Sequence, residues 1–444
     1  STQMSVLCAD EDHPDGLTSS VDEYELCQYE VQIYLDSACG TVTNPPSPSP
    51  TPYSSPSLNL GEDWPMYGGS SAHDGYRPIN KEVTGYVTAW SAEYDSSTTA
   101  TVLCSGMLLS STLSRQNAVL TSLNATTGER LWNLQLGNQS SICPPACRDG
   151  VAYVQVIRVD NYFYLYAVNL TSQEIMWTSS GLSTNYATYD YGAVPDPVNG
   201  LIYAPGGRSG EYIYAFNPDG SLNFTGLVPG GGTDSWTPTA WKDRPNEIYT
   251  ATIPTVQYNQ GTFGVNDALT GVIDWSFILF ALNALDHSTQ SVVAVSNGVG
   301  LVSLRANGVV ADAIELKTQV RLWNIEPCDG VTTPSGEFRD QTLSTDGKVA
   351  AIACSDKIQL FDLYTGDTVY TFDCYRCGGQ PIITPNYVLA TGLLENTVEP
   401  VVYILSRSGG QNMTLPTGGN LILSGDVVYV TSMMGYVTAY QLVE

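Results

Sequence analysis

One short pattern constrains this chain more than any other. Residues 124–136, NATTGERLWNLQL, read as a strand end, a TG turn and a second strand carrying a tryptophan. The pattern recurs as NDALTGVIDWSFIL (266–279), ELKTQVRLWNIEP (315–327) and LFDLYTGDTVYTFDC (360–374). Weaker copies stand at 169–181 (NLTSQEIMWTSSG) and 217–228 (NPDGSLNFTGLV). A TG or DG pair supplies a tight hairpin turn, because glycine accepts the positive φ that other residues resist. An aromatic four to six residues later then falls on the outgoing strand. Repetition of a four-stranded unit with a turn-plus-aromatic signature is the sequence form of a β-propeller.

The repeats divide as about 99–136, 141–181, 185–228, 235–279, 284–327, 330–374, 376–416 and a short piece at 419–444. Each spans roughly 43 residues, the size of a four-stranded blade. The last piece holds strands for NLILS, VVYVTS and GYVTAYQLV only. The string GYVTA occurs again at 85–89, so the missing strand is expected from the front, with 85–94 pairing to 435–443. Such closure removes exposed sheet edges. The reading is therefore an all-β propeller of eight four-stranded blades, with seven as the alternative, closed by N- and C-terminal strands. Its domain spans residues 60–444.

Composition fits this reading and narrows the partners. Seventeen basic against 44 acidic residues give a net charge of −27, which argues against nucleic acid and against anionic lipid. Only 14% of the 444 residues are charged, and no apolar run approaches the roughly 20 residues of a membrane helix. The sequence starts at Ser1 and opens on no signal peptide, which suggests a processed or trimmed form.

Ten cysteines and three histidines are present. The short spacings CPPAC (Cys143, Cys147) and CYRC (Cys374, Cys377) do not make two converging zinc knuckles. A redox pair of thioredoxin type would need a βαβ setting, which the repeats do not offer. Disulfides formed in an oxidising compartment are the reading that remains. CPPAC can close on itself, so Cys143–Cys147 is a candidate bond. Five N-x-S/T sequons occur, at Asn124, Asn138, Asn169, Asn223 and Asn412. That is close to the chance number for this composition; the sequons permit N-glycosylation of a secreted chain.

Residues 1–40 form a small cysteine-bearing β module. Its strand YEVQIYLDSAC alternates, with Tyr29, Val31, Ile33 and Leu35 on one face. The acidic loop ADEDHPDG lacks the twelfth-position glutamate of an EF-hand and reads as a solvated loop. Residues 41–59 are a Ser/Pro-rich linker, NPPSPSPTPYSSPSL, that favours an extended polyproline II rod.

Three resemblances carry further expectations. The stretch LCQYEVQIYLDSAC resembles the tail of a mannose-6-phosphate-receptor-homology domain. That resemblance implies a Cys8–Cys39 disulfide and an upstream partner for Cys27, and it matches Glu25 and Tyr29 to two of the four residues of a mannose pocket. The linker resembles the hydroxyproline-rich spacers of plant and green-algal wall proteins, which implies O-glycan or hydroxyproline at Pro45, Pro46, Ser47, Pro48, Ser49, Pro50, Thr51 and Pro52. EDWPMYGGSSAHDGYRP (62–78) and the TG-x-x-x-W repeats resemble quinoprotein β-propellers of the pyrroloquinoline-quinone type. In that family the repeat tryptophan packs between adjacent blades, a role that falls here to Trp90, Trp132, Trp177, Trp275 and Trp323.

Catalytic quinoproteins hold their quinone with calcium, Glu, Asn, an Asp base and a disulfide between adjacent cysteines. This chain has no Cys-Cys dipeptide, and no Glu, Asn and Asp set falls on matching motifs. No G-x-S-x-G, H-E-x-x-H or phosphate loop occurs, and GGRSG (206–210) and GGG (230–232) read as loops between strands. The expectation is a non-catalytic, secreted structural or interaction glycoprotein without catalytic, cofactor-binding or metal residues. It carries N- and O-linked glycans and binds copies of itself or other extracellular glycoproteins in a wall, matrix, filament or surface appendage. The alternatives are a quinone-dependent dehydrogenase or a degenerate relative, and a glycan-binding or assembly module.

Overall fold

Alternating apolar runs of five to eight residues, broken by turn residues, build eight antiparallel sheets around a common axis. The computed structural model describes residues 58–444 apart from 95–98, 113–116, 138, 159–161, 184–191, 207–211, 230–235, 253–260, 280–290, 307, 329–342, 396, 409–411 and 433. The chain divides into units 1–54 and 55–444. The N-terminal module, the linker through residue 57, Cys8, Cys39 and the O-glycan positions lie outside the described residues, as does Asn138.

Seven blades follow one another along the chain, each running from an inner strand outward. Blade 1 is Val102–Cys104, Met107–Ser111, Ala118–Asn124 and Arg130–Gly137. Blade 2 has an inner strand in two pieces, Gln139–Ile142 and Ala146–Arg148, then Val151–Arg158, Tyr162–Asn169 and Glu174–Thr178. Blades 3, 4, 5, 6 and 7 end on the outer strands Leu222–Leu227, Ile273–Leu279, Val320–Cys328, Thr368–Asp373 and Met413–Leu415. Blade 8 takes three strands from the C-terminus, Asn420–Ser424, Val427–Thr431 and Tyr436–Val443. Its outer strand is Gly85–Glu93, in register from Gly85 opposite Val443 to Glu93 opposite Tyr436. Backbone bonds from Thr84 to Val443 and from Tyr94 to Gly435 extend the seam at both ends. The expected eight-bladed ring, closed by both termini, is the fold.

The recurring aromatic works through a bulge. In seven blades the register slips by one residue beside the aromatic of the outer strand: Trp132, Trp177, Phe224, Trp275, Trp323, Tyr370 and, in blade 8, Trp90. An extra residue re-aims the following side chain, here towards the next blade for all but Tyr370, which is exposed and stacks on Phe372 of its own strand. Trp90 lies against the turn glycine Gly128 of blade 1, Trp177 against Gly220 and Trp323 against Gly366. A Cβ on Gly128 would fall 2.4 Å from the Trp90 ring, so only glycine fits. The indole N–H groups donate to the carbonyls of Ala125 (3.1 Å), Pro218 (2.9 Å) and Leu363 (2.9 Å) on those same neighbouring blades. Trp132 packs with Tyr166, Val168 and Leu170 of blade 2, and Trp275 with Ile314 and Leu316 of blade 5. Each ring of this size buries roughly 150–250 Å², which places much of the apolar core between blades.

Two disulfides add covalent ties between neighbours. Cys104 at the end of the blade 1 inner strand bonds to Cys147 on that of blade 2, and Cys328 on the outer strand of blade 5 bonds to Cys354 of blade 6. The first corrects the expectation that Cys147 pairs with Cys143. Ile142 and Ala146, which flank Cys143-Pro144-Pro145, pair with Val156 and Tyr153 of one neighbouring strand. Those partners are three residues apart, roughly 10 Å at strand rise. The CPPAC stretch therefore stays extended, beyond the reach of a disulfide between its own ends.

Candidate functional site

The channel along the propeller axis is the place where such a ring could hold a ligand, and the chain fills one end of it with its own residues. The segment 61–77 makes a single circuit of the axis and meets the blades in order. Gly61 N–H donates to Ser424 Oγ of blade 8, whose hydroxyl donates to the Glu62 carbonyl. Trp64 and Leu103 of blade 1 exchange two backbone bonds, at 3.0 and 2.9 Å. Cys147 of blade 2 donates to Pro65, and Met66 packs with Val194 and Tyr203 of blade 3. Ala240 of blade 4 donates to Ser71, Val295 of blade 5 to Ala72, Thr345 of blade 6 to Asp74 and Ile383 of blade 7 to Gly75.

Local chemistry holds this circuit rigid. Arg77 is buried, stands 4.3 Å over the Trp64 ring and donates to the carbonyls of Asp63, Gly69 and Tyr76. Both Asp63 carboxylate oxygens accept from Ser105 N–H at 2.9 Å. Gly75 adopts φ +60°, and a Cβ there would lie 2.3 Å from Ser344 Oγ and 2.9 Å from the Pro381 carbonyl. His73 is buried, with Nδ1 2.7 Å from the Tyr67 carbonyl and Nε2 3.2 Å from the Pro238 carbonyl. Burial pushes its imidazole below the ordinary value, and the two carbonyls act the other way. Burial also raises the Asp74 carboxyl, against the Ser70 hydroxyl bond and the charge of Arg77.

Among the described residues, a cavity of about 10 Å³ lies against Met66, Tyr67 and His73, and one of about 40 Å³ is lined by Trp64, Tyr67, Thr101, Gln380, Thr391 and Asn420 among others. The larger has room for roughly three waters. Among the described residues no three His, Cys, Asp or Glu side chains converge as metal ligands. The described cavities are too small for a calcium-bound tricyclic quinone.

The sequons sit at the opposite radius. Asn124 and Asn169 each open a turn between third and outer strands, where Oδ1 accepts two backbone N–H groups at 2.8 and 3.1 Å and at 2.8 and 2.9 Å. Asn412 Oδ1 accepts from Ser406 N–H. Asn412 is exposed, and Asn124 and Asn169 are half-buried. Asn223 is exposed on the outer strand of blade 3 and donates to Asn217 Oδ1 at 3.0 Å.

No family model matches the chain, and no curated protein matches it either. Solved structures do. BamB from Moraxella catarrhalis superposes with a TM-score of 0.58 at 14% identity, over 81% of this chain and 100% of that one. A europium-containing methanol dehydrogenase gives 0.59 at 10% identity, over 86% and 98%. Sqt1 from Saccharomyces cerevisiae gives 0.58 at 11%, over 82% and 100%. At this identity the likeness is one of fold alone. The group spans a dehydrogenase and proteins whose names state no reaction, as expected where function lives in sites grafted on a shared ring.

The circuit of 61–77 was not legible as such in the sequence, where it reads only as a lead-in before the first strand. Its signal was present: one Trp, one Arg and four glycines within 17 residues.

Proposed function

We propose that this protein is a secreted, glycosylated structural or interaction propeller that works through its outer surface, as a subunit of an extracellular assembly. The observation that carries the reading is the self-filled channel. The circuit 61–77 bonds to the inner strands of the ring from within, and the described cavities beside it hold a few waters. Two disulfides between neighbouring blades support an oxidising compartment. The described sequons, all at the outer turns or outer strands, support glycosylation there. The acidic surface keeps such a particle soluble at high concentration and turns away polyanions.

The alternative reading is a quinone-dependent dehydrogenase. The two separate on adding pyrroloquinoline quinone and calcium to the purified chain and following visible absorbance and dye reduction with alcohols. The structural reading expects no bound-quinone spectrum and no dye reduction above the free quinone. Saturable binding with turnover sinks it.

A further inference from the structure

Three disulfides lie among the described residues, and they differ in what they join and what can reach them. Cys104–Cys147 and Cys328–Cys354 span 43 and 26 residues, tie neighbouring blades and are buried at both ends. Cys374–Cys377 has a sequence separation of 3 and runs from the single residue after the outer strand of blade 6 into the start of the blade 7 inner strand, Tyr375–Ile383. A cross-link over so short a loop removes the least entropy from the unfolded chain. The loop also has other anchors. Cys374 N–H donates to the Asp356 carbonyl at 3.1 Å and Cys377 N–H to the Ser355 carbonyl at 3.2 Å. The fold therefore has little need of this bond.

Access is asymmetric across it. Cys377 is fully buried, and its Sγ packs on Gly392 so closely that a Cβ there would come within 2.7 Å. Cys374 is partly exposed, and Arg376 between the two is exposed at φ 49°. An exposed disulfide beside inaccessible ones is the one that thiols open first.

We propose that Cys374–Cys377 is a thiol–disulfide exchange site that receives an incoming thiol at Cys374. The thiolate of that thiol attacks Cys374 Sγ; a mixed disulfide forms, the Cys374–Cys377 bond breaks, and its electron pair leaves on Cys377 Sγ, which takes a proton from solvent. A second thiolate then attacks the incoming sulfur, forms the external disulfide and releases Cys374 as thiolate. Two thiols are oxidised and one protein disulfide is reduced. Where the incoming thiol belongs to another chain, the first step is a covalent link between chains.

The test uses the full oxidised chain in graded reduced and oxidised glutathione, with a parallel arm containing a cysteine peptide, followed by stepwise alkylation and peptide mapping. Cys374 and Cys377 should alkylate at ratios that leave Cys104–Cys147 and Cys328–Cys354 intact, with the melting temperature of the product changed little. In Cys377→Ser, oxidised glutathione should add one glutathionyl group at Cys374. An adduct with glutathione alone assigns a small thiol, and an adduct with the peptide as well assigns a protein cysteine. Opening only together with the two buried bonds as the chain unfolds, or no adduct at Cys374 in either arm, overturns the proposal.

Discussion

Trp132 stands for a residue type whose position the sequence disclosed. Its spacing from the TG turn put it on an outgoing strand, and in the structure it is buried against blade 2. Trp132→Ala should cost about 3–5 kcal/mol through the cavity and the lost burial, read by chemical denaturation; an unchanged midpoint would detach the aromatic from the fold. Gly128→Ala should cost about 1–3 kcal/mol, since its φ of 74° and the Trp90 ring both reject a Cβ. His73 gives a sign. Because burial holds its pKa below the ordinary 6.5, the unfolded chain takes up the proton first on acidification. Its contribution is intact above about pH 6.5 and is lost as pH falls towards the lower folded value, at no more than about 1.4 kcal/mol per pH unit. His73→Gln should flatten that part of the stability profile between pH 7.5 and 5; parallel profiles would show that His73 does not titrate across unfolding. The burial of His73 was not visible beforehand, since a lone histidine in a Gly-rich stretch says nothing of burial.

At the scale of elements, the outer hairpins were the most legible part. Even the weak copies obey the rule, for Gln173 and Gln319 occupy the glycine place at φ 63° and 60°. The sequence hid those turns only because glutamine seldom adopts that conformation. The closing strand was legible through the shared GYVTA string. Two features were not. The CPPAC stretch looks like a local loop until its pairing to one long neighbouring strand is known. The circuit 61–77 has no periodicity, because its order comes from contacts with the inner strands of successive blades. Deleting residues 1–98 removes both that circuit and the outer strand of blade 8. It should leave an unpaired edge and an unfilled channel, giving an aggregating protein without a cooperative melt. A deletion product that melts like the full chain would sink both roles.

For the whole molecule, eight nearly equal blades tied by interblade tryptophans and two interblade disulfides make a rigid ring whose variable chemistry lies at its loops and outer edge. The outer strands expose Leu131, Ile175, Leu222, Ile273, Val320 and Val369, the first three on blades that also carry sequons, so under the proposed function the outer rim is both where sugars would sit and where partners would meet it. Assembly is the central claim of the proposed function, and the most direct measurement is light scattering on the full chain, produced through a secretory route with its glycans, over a micromolar concentration range in native salt. The proposal predicts a mass above that of one glycosylated chain that grows with concentration. A single glycosylated-monomer mass across the whole range would contradict it.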